Sequence, residues 1–84
     1  MSAWSLVYTR TAAKDVEKLD TVAKKKIKKK IEQFVKDPLH YAKKLTSSAI
    51  GSYRWRVGDF RIVFDIEGRN IVILRIGHRR EIYR

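Results

Sequence analysis

Tyr53-Arg54-Trp55-Arg56-Val57-Gly58-Asp59-Phe60-Arg61-Ile62-Val63-Phe64 is the stretch from which the fold is read. Apolar residues at 53, 55 and 57 alternate with arginines at 54 and 56, the period of a strand with one buried face. Gly58-Asp59 is a two-residue turn of the kind that joins antiparallel strands. Beyond it Phe60, Ile62, Phe64 and Ile66 alternate with Arg61, Val63 and Asp65. After Glu67-Gly68-Arg69-Asn70 a third run, Ile71 to Ile76, is apolar on both faces, which predicts a central strand.

Upstream the period lengthens. Trp4-Ser5-Leu6-Val7-Tyr8 is rich in β-formers and leads into Thr9-Arg10-Thr11, where a threonine can accept from the free amides of a helix start. Ala12, Ala13, Val16 and Leu19 follow at helical spacing over residues 11–19, and Asp20-Thr21 interrupts before a second helical pattern. In that second helix Ala23, Ile27, Ile31, Phe34 and Val35 form one stripe, and Asp37-Pro38 ends it. Residues 39–52, with Leu39, Tyr41 and Leu45 among lysines and serines, read as an ordered connection. The order β-α-α-β-β-β predicts an α+β fold of two layers. A mainly antiparallel sheet carries a helical hairpin on one face and ends in a short C-terminal segment, as one domain over residues 1–84.

Composition narrows the partners. A chain of 84 residues is expected to bury only about 60–65% of its unfolded surface, too little for an enclosed active site. With no cysteine and two distant histidines, His40 and His78, a disulfide framework is excluded and a zinc site is not expected. Neither a membrane span nor a secretion signal is read, and a reducing, cytoplasmic setting fits. Twenty Lys and Arg against nine Asp and Glu give a formal charge of +11. Such self-repulsion in a small fold favours an anionic partner, with nucleic acid ahead of an acidic protein and both ahead of a membrane.

Three features can carry chemistry. Lys24, Lys25, Lys26, Lys28, Lys29 and Lys30 surround Ile27, so the outer face of the second helix is a strip of like charge. Ordinary solvated helix faces mix both signs to gain spaced ion pairs, and this one does not. Lysines bind phosphates as mobile point charges without selecting sequence, and Lys43 and Lys44 extend the supply. Second, Arg54 and Arg56 share a strand face that Arg61 should join across the turn. Three planar guanidiniums there can hold a phosphate and neutralise charge developing on it. A plain surface of arginines beside Asp59, Asp65 and Glu67 is the alternative. Third, Gly77-His78-Arg79-Arg80-Glu81-Ile82-Tyr83-Arg84 combines a histidine, a tyrosine and three arginines just after the last strand. No cysteine nucleophile, Ser-His-Asp set, Gly-rich phosphate loop or metal cluster is visible in the sequence, so the chemistry expected is metal-free.

Residues 53–64, with Ile-Gly-His-Arg-Arg-Glu-Ile-Tyr-Arg at 76–84 and Lys43-Lys44-Leu45 after Asp37-Pro38, resemble the RelE family of toxins over nearly the whole chain. The resemblance implies a ribosome-dependent endoribonuclease that cuts messenger RNA in the decoding site without a cofactor. In that reaction the ribose 2′-hydroxyl attacks the adjacent phosphate and the 5′-oxygen leaves, giving a 2′,3′-cyclic phosphate. Arg54 and Arg56 stand where several members have lysine. An arginine does not give up its proton, so these two are expected to stabilise charge rather than act as base. By position Arg61 and Arg79 match the phosphate-contacting arginines and Tyr83 the tyrosine that stacks on or orients the nucleotide. His78, able to exchange protons near neutrality, becomes a candidate general acid or base.

The resemblance further implies a cognate RelB-like antitoxin with an acidic or amphipathic segment, and ribosomal RNA and messenger RNA as partners. Operator DNA would be reached only through the antitoxin complex. Two other readings stay open: a ParE-like toxin of the same fold that poisons DNA gyrase, and a non-catalytic RNA-binding module.

Overall fold

Two side-chain oxygens start the helical hairpin. In the computed structural model, which describes residues 4–46 and 51–78, Thr9 Oγ1 accepts from the Ala12 amide at 3.0 Å ahead of α1 (Arg10–Glu17). Asp20 Oδ1 accepts from the Ala23 amide at 2.7 Å ahead of α2 (Thr21–Phe34). Each cap satisfies an amide that the helix itself leaves unpaired. Pro38, at the first position of a single helical turn, α3 (Pro38–Tyr41), separates the hairpin from the sheet. No helix of the described residues is long and apolar enough to cross a membrane.

The described residues form a sheet of five strands: β1 (Ser5–Tyr8), β2 (Lys43–Lys44), β3 (Tyr53–Val57), β4 (Phe60–Glu67) and β5 (Asn70–His78), in the order β1-β5-β4-β3-β2. β1 runs parallel to β5 and the other neighbours are antiparallel. The α+β fold, the helical hairpin and the interior position of β5 agree with the sequence reading. The connection over 39–52 does not, because it contains α3 and β2. Two lysines on an edge strand carry no readable period. What holds them is pairing with Arg54 and Tyr53 and a hydrogen bond from the Leu45 amide to the Ser52 carbonyl at 2.8 Å.

One face of the sheet packs on the helices. Ile27, Ile31 and Phe34 of α2 and Ala12 of α1 close over Trp55, Val57, Ile62, Phe64, Ile71, Ile73 and Ile76, all buried. Trp55 is anchored at both ends, its ring 4.3 Å from Phe64 and its indole N–H donating to the Pro38 carbonyl at 3.0 Å.

β5 slips phase once. Ile62 pairs with Ile76 and Val63 with Arg75, but Phe64 pairs with Ile73, so Leu74 is an extra residue opposite no partner, a β-bulge. β1 pairs only as far as Tyr8 with Ile73, and beyond that point α1 takes over the edge of β5. The Thr9 amide donates to the Ile73 carbonyl at 3.0 Å and its hydroxyl to the Leu74 carbonyl at 3.2 Å. Asp15, 7% exposed, accepts from the Ile76 amide at 3.0 Å and from Arg75 Nε at 2.8 Å. One carboxylate thus satisfies an edge amide and ties the helix layer to the sheet. Asp15→Ala leaves that amide without its acceptor, and a loss of about 2–3 kcal/mol is expected. It is to be read as a lower urea midpoint at unchanged slope.

Candidate functional site

The face of the sheet turned away from the helices gathers the basic residues of three strands. Arg54 and Arg56 alternate with the buried Trp55 and Val57, so they point to the opposite side. Arg56 pairs across the strands with Arg61, and Arg54 pairs with Val63 on one side and Lys43 on the other. Residues paired across antiparallel strands share a face, so Lys43, Arg54, Arg56 and Arg61 form one group.

The turn organises two of these side chains. Gly58, at φ +59°, occupies the first loop position of the hairpin, where a primed turn needs the left-handed region. Its carbonyl accepts from Arg61 Nη1 at 2.9 Å, and Arg56 Nε lies 3.5 Å from the same oxygen, at the limit of a hydrogen bond. Arg61 Nη1 also donates to the Phe60 carbonyl at 3.1 Å. The three guanidiniums that the sequence places on one face differ in depth: Arg56 is exposed, Arg54 half-buried and Arg61 only 4% exposed. Arg61 is therefore a buried, braced cation beneath the open pair.

Further along this face the surface turns apolar. A Cβ on Gly51 would lie 2.6 Å from Leu74 Cδ1 and 2.9 Å from Val63 Cγ1, so only a glycine lets the chain pass this close over the sheet. Val63 is fully covered. The Ser52 amide donates to Asp65 Oδ1 at 2.7 Å, engaging the acid of this face. Among the described residues no carboxylate forms an ion pair with Lys43, Arg54 or Arg56.

Lys24, Lys25, Lys26, Lys28, Lys29 and Lys30 are all exposed around the buried Ile27. Lys26 reaches the β3–β4 turn, its Nζ 3.4 Å from where a Gly58 Cβ would stand. The lysine strip and the arginine group therefore meet at Gly58. Lys44, paired with Tyr53, lies on the other face from Lys43.

His78 is not brought to the arginines. It pairs with Phe60, whose neighbours Val57 and Ile62 belong to the helix side, and its ring stands edge-on to Phe60 at 5.9 Å. It lines a polar recess with Asp15, Lys18, Asp20 and Arg75. The bulge at Leu74 is the reason, because the phase slip carries residues 76 and 78 to the helix side. Arg79 and Tyr83 lie outside the described residues. Among the described residues no group of three or more His, Cys, Asp or Glu is placed to hold a metal ion.

The sequence reading missed an apolar groove of about 640 Å³ between the helical hairpin and β1, lined by Leu6, Tyr8, Val16, Leu19, Ile27 and Ile31. The basic Lys24 and Lys28 stand at its rim with Glu32. Leu6, Val7 and Tyr8 are exposed, and the outer edge of β1 pairs with no strand among the described residues. Tyr8 is nonetheless partly covered where it lines the groove, and this desolvation raises its phenol above the ordinary pKa. Three consecutive large apolar residues in an edge strand were the available signal.

The role of the turn is testable with two glycines of similar conformation. Gly58 has φ +59° and Gly68 φ +62°. Alanine at either position is expected to lower stability by about 1 kcal/mol, since both force a side chain into the left-handed region. Only Gly58→Ala, which disturbs the carbonyl shared by Arg56 and Arg61, is expected to weaken retention on a heparin column.

Known proteins share this fold. The family model described as ParE toxin of type II toxin–antitoxin system matches residues 6–83. Toxin RelG of Mycobacterium tuberculosis is 31% identical over 88 residues, covering 96% of this chain and 97% of the relative. The toxin–antitoxin complex RelBE2 of the same organism contains a chain that superposes with a TM-score of 0.80 at 26% identity, over 90% of this chain and 98% of that one. A chain of the chromosomal ParDE system of P. aeruginosa gives a TM-score of 0.74 at 20% identity, over 93% and 98%, and so shares the fold. From the sheet-and-hairpin architecture, the family match along nearly its full length and the likeness to RelG, this chain belongs to the RelE/ParE superfamily of toxins of type II toxin–antitoxin systems.

Proposed function

We propose that the chain is a ribosome-dependent endoribonuclease that inhibits translation by cutting messenger RNA. The observation that carries this reading is the pairing of Arg56 with Arg61 beside Arg54 on the helix-free face, with both guanidiniums drawn to one carbonyl. In the proposed reaction the 2′-oxygen forms a bond to the adjacent phosphorus as the P–O5′ bond breaks. Negative charge grows on the non-bridging oxygens. Arg54 and Arg56 offer open donors to those oxygens, and Arg61 adds a fixed positive charge from within the sheet, already oriented by two carbonyls.

Guanidiniums do not accept the 2′-hydroxyl proton. Proton transfer on this reading falls to Tyr83, to groups of the ribosome or to solvent, and not to His78 on the opposite side of the sheet. Arg79 and Tyr83 complete the proposed site from the C-terminal segment. The lysine strip of α2 holds ribosomal RNA, and its meeting with the arginine group at Gly58 lets docking and messenger capture share one continuous positive surface.

The cognate antitoxin is proposed to fill the groove beside β1. Its apolar lining suits an amphipathic segment, and the open strand edge can pair with one more strand. RelBE2 was solved as a toxin–antitoxin complex, which supports a partner of this kind.

A second reading, gyrase poisoning, is favoured by the match to the ParE family model. Primer extension on a defined message in a purified translation system separates the two. On the nuclease reading, cuts appear only with ribosomes. Arg56→Ala is expected to lower single-turnover cleavage by about 10² or more, the size of losing one donor to the transition-state charge, and Tyr83→Phe is expected to lower it further. An intact message together with inhibited DNA supercoiling moves the function to gyrase.

The lysine strip is tested by salt. Reversing Lys25 and Lys29 to glutamate is expected to reduce the slope of log affinity for ribosomes against log salt by about 1 for each phosphate no longer neutralised, whereas Arg54→Ala leaves most of it. An unchanged slope returns α2 to a solvated helix face.

A further inference from the structure

Two like-charged pairs stand side by side on the helix-free face. Lys43 of β2 is directly opposite Arg54 of β3, and Arg56 of β3 is directly opposite Arg61 of β4. Like charges facing each other across strands destabilise a sheet, and each of the first three side chains lacks a carboxylate partner among the described residues. An arrangement that is unfavourable in the free protein becomes favourable when an anion sits over each pair. The two pairs are offset by one strand and by two residues along β3. With strands about 4.8 Å apart and a rise of about 3.4 Å per residue, their midpoints are about 8 Å apart. That is close to one nucleotide step of an extended single strand.

We propose that Lys43 and Arg54 form a second phosphate subsite, one nucleotide removed from the phosphate held at Arg56. The inference rests on the nuclease reading for the identity of the strand, and it assigns Lys43 to the messenger face rather than to the lysine surface that docks on ribosomal RNA. It follows that an extended RNA crosses the strands obliquely, from the Gly58 turn toward the edge of β2, with its phosphates against the sheet. The subsite binds and does not react: Lys43 fixes the position of the strand so that the neighbouring phosphodiester rests over Arg56 and Arg61. The apolar patch at Val63 and Leu74, closed by Gly51, bounds the path on its other side.

Lys43 is distinguishable from its chain neighbour. Lys44 pairs with Tyr53 and faces the helix side, so the two lysines separate a site on one face from a general attraction of the edge for polyanions. The proposal needs the register at Lys43 and Arg54, and it does not need a proton to move.

The experiment uses programmed ribosomes carrying a message whose cleavage-site riboses are 2′-O-methylated, so that binding is read whether or not the protein cuts. A single uncharged methylphosphonate is placed in turn at the phosphates flanking the cleavage site. At one flanking position it is expected to weaken wild-type binding by about tenfold, the loss of one charge-assisted hydrogen bond. Lys43→Ala is expected to lose the same factor, to show no further loss with that methylphosphonate, and to regain affinity as Lys43→Arg. Lys44→Ala, on the other face, is expected to keep the full methylphosphonate effect. On the cleavable message Lys43→Ala is expected to raise the half-saturating concentration by about tenfold and to lower the saturated rate far less than Arg56→Ala does, as loss of a contact remote from the reacting bond does.

Additive losses for Lys43→Ala and the methylphosphonate overturn the subsite, as does an absence of any methylphosphonate effect. Lys43→Ala weakening only the toxin–antitoxin complex also overturns it, because the pair would then face protein. Failure to cut the cleavable message removes the nuclease reading and leaves the binding result standing on its own.

Discussion

The two-residue turn at Gly58-Asp59 sets the register on which everything else depends. It places Val57 opposite Phe60, Trp55 opposite Ile62 and Arg56 opposite Arg61. A slip of one residue would put arginines under α2 and Trp55 in solvent, because side chains alternate with a period of two. Burial of Trp55 against Phe34 and Phe64 opposes any such slip, and so the hydrophobic side of the hairpin enforces the geometry of the charged side. Gly58 contributes twice, through a backbone conformation that few other residues adopt readily and through the carbonyl that collects Arg56 and Arg61. The core and the candidate site are two faces of one hairpin.

Charge is arranged against local stability. Six lysines crowd one helix face and two like-charged pairs crowd the sheet, within a chain of formal charge +11. Surface repulsion of this kind is screened but not abolished at physiological ionic strength. The fold tolerates it because the cohesive interactions lie elsewhere, in the apolar layer between helices and sheet and in the Asp15 carboxylate, which holds Arg75 and the Ile76 amide at once. An anionic partner that neutralises the crowded surfaces stabilises the folded chain as it binds, which links the toxin's stability to its partners.

Much of this was legible in the sequence, and the failures have identifiable causes. A threonine cap within Thr9-Arg10-Thr11 was legible, as were the break at Asp20-Thr21, the helix face from Ala23 to Phe34 and the hairpin over residues 53–66, because in each case the local chemistry and the packing agree. The capping role of Asp20 emerged only with its hydrogen bond to the Ala23 amide. β2 was invisible since two lysines have no period, and their pairing is a tertiary fact. The burial of Arg61 was equally hidden, since alternation assigns a face and says nothing about depth. The side of the sheet taken by His78 was hidden by the bulge. Counting by twos from Ile71 puts residue 78 on the arginine face, and the extra residue at Leu74 reverses this. A signal was present all the same: the buried isoleucines fall at 71, 73 and 76, and a step of three among steps of two marks a phase slip in a strand.

That phase slip bears on why a nuclease of this design would need a ribosome. With His78 turned to the helix side, the described part of the arginine face gathers guanidiniums and one lysine, groups able to bind and neutralise a phosphate. The arginines among them do not take the 2′-hydroxyl proton, and mobile cations such as the exposed Lys43 and Arg56 let a free RNA strand lie against them in many unreactive conformations. Positioning of the 2′-oxygen in line with the departing 5′-oxygen contributes a large share of the rate enhancement in such a reaction. A shallow basic sheet does not impose that alignment alone. On the nuclease reading the decoding site supplies the alignment by holding the codon, the toxin supplies the positive charge, and neither suffices without the other. On the same reading, charge without alignment is what would keep so basic a nuclease from cutting every RNA it meets.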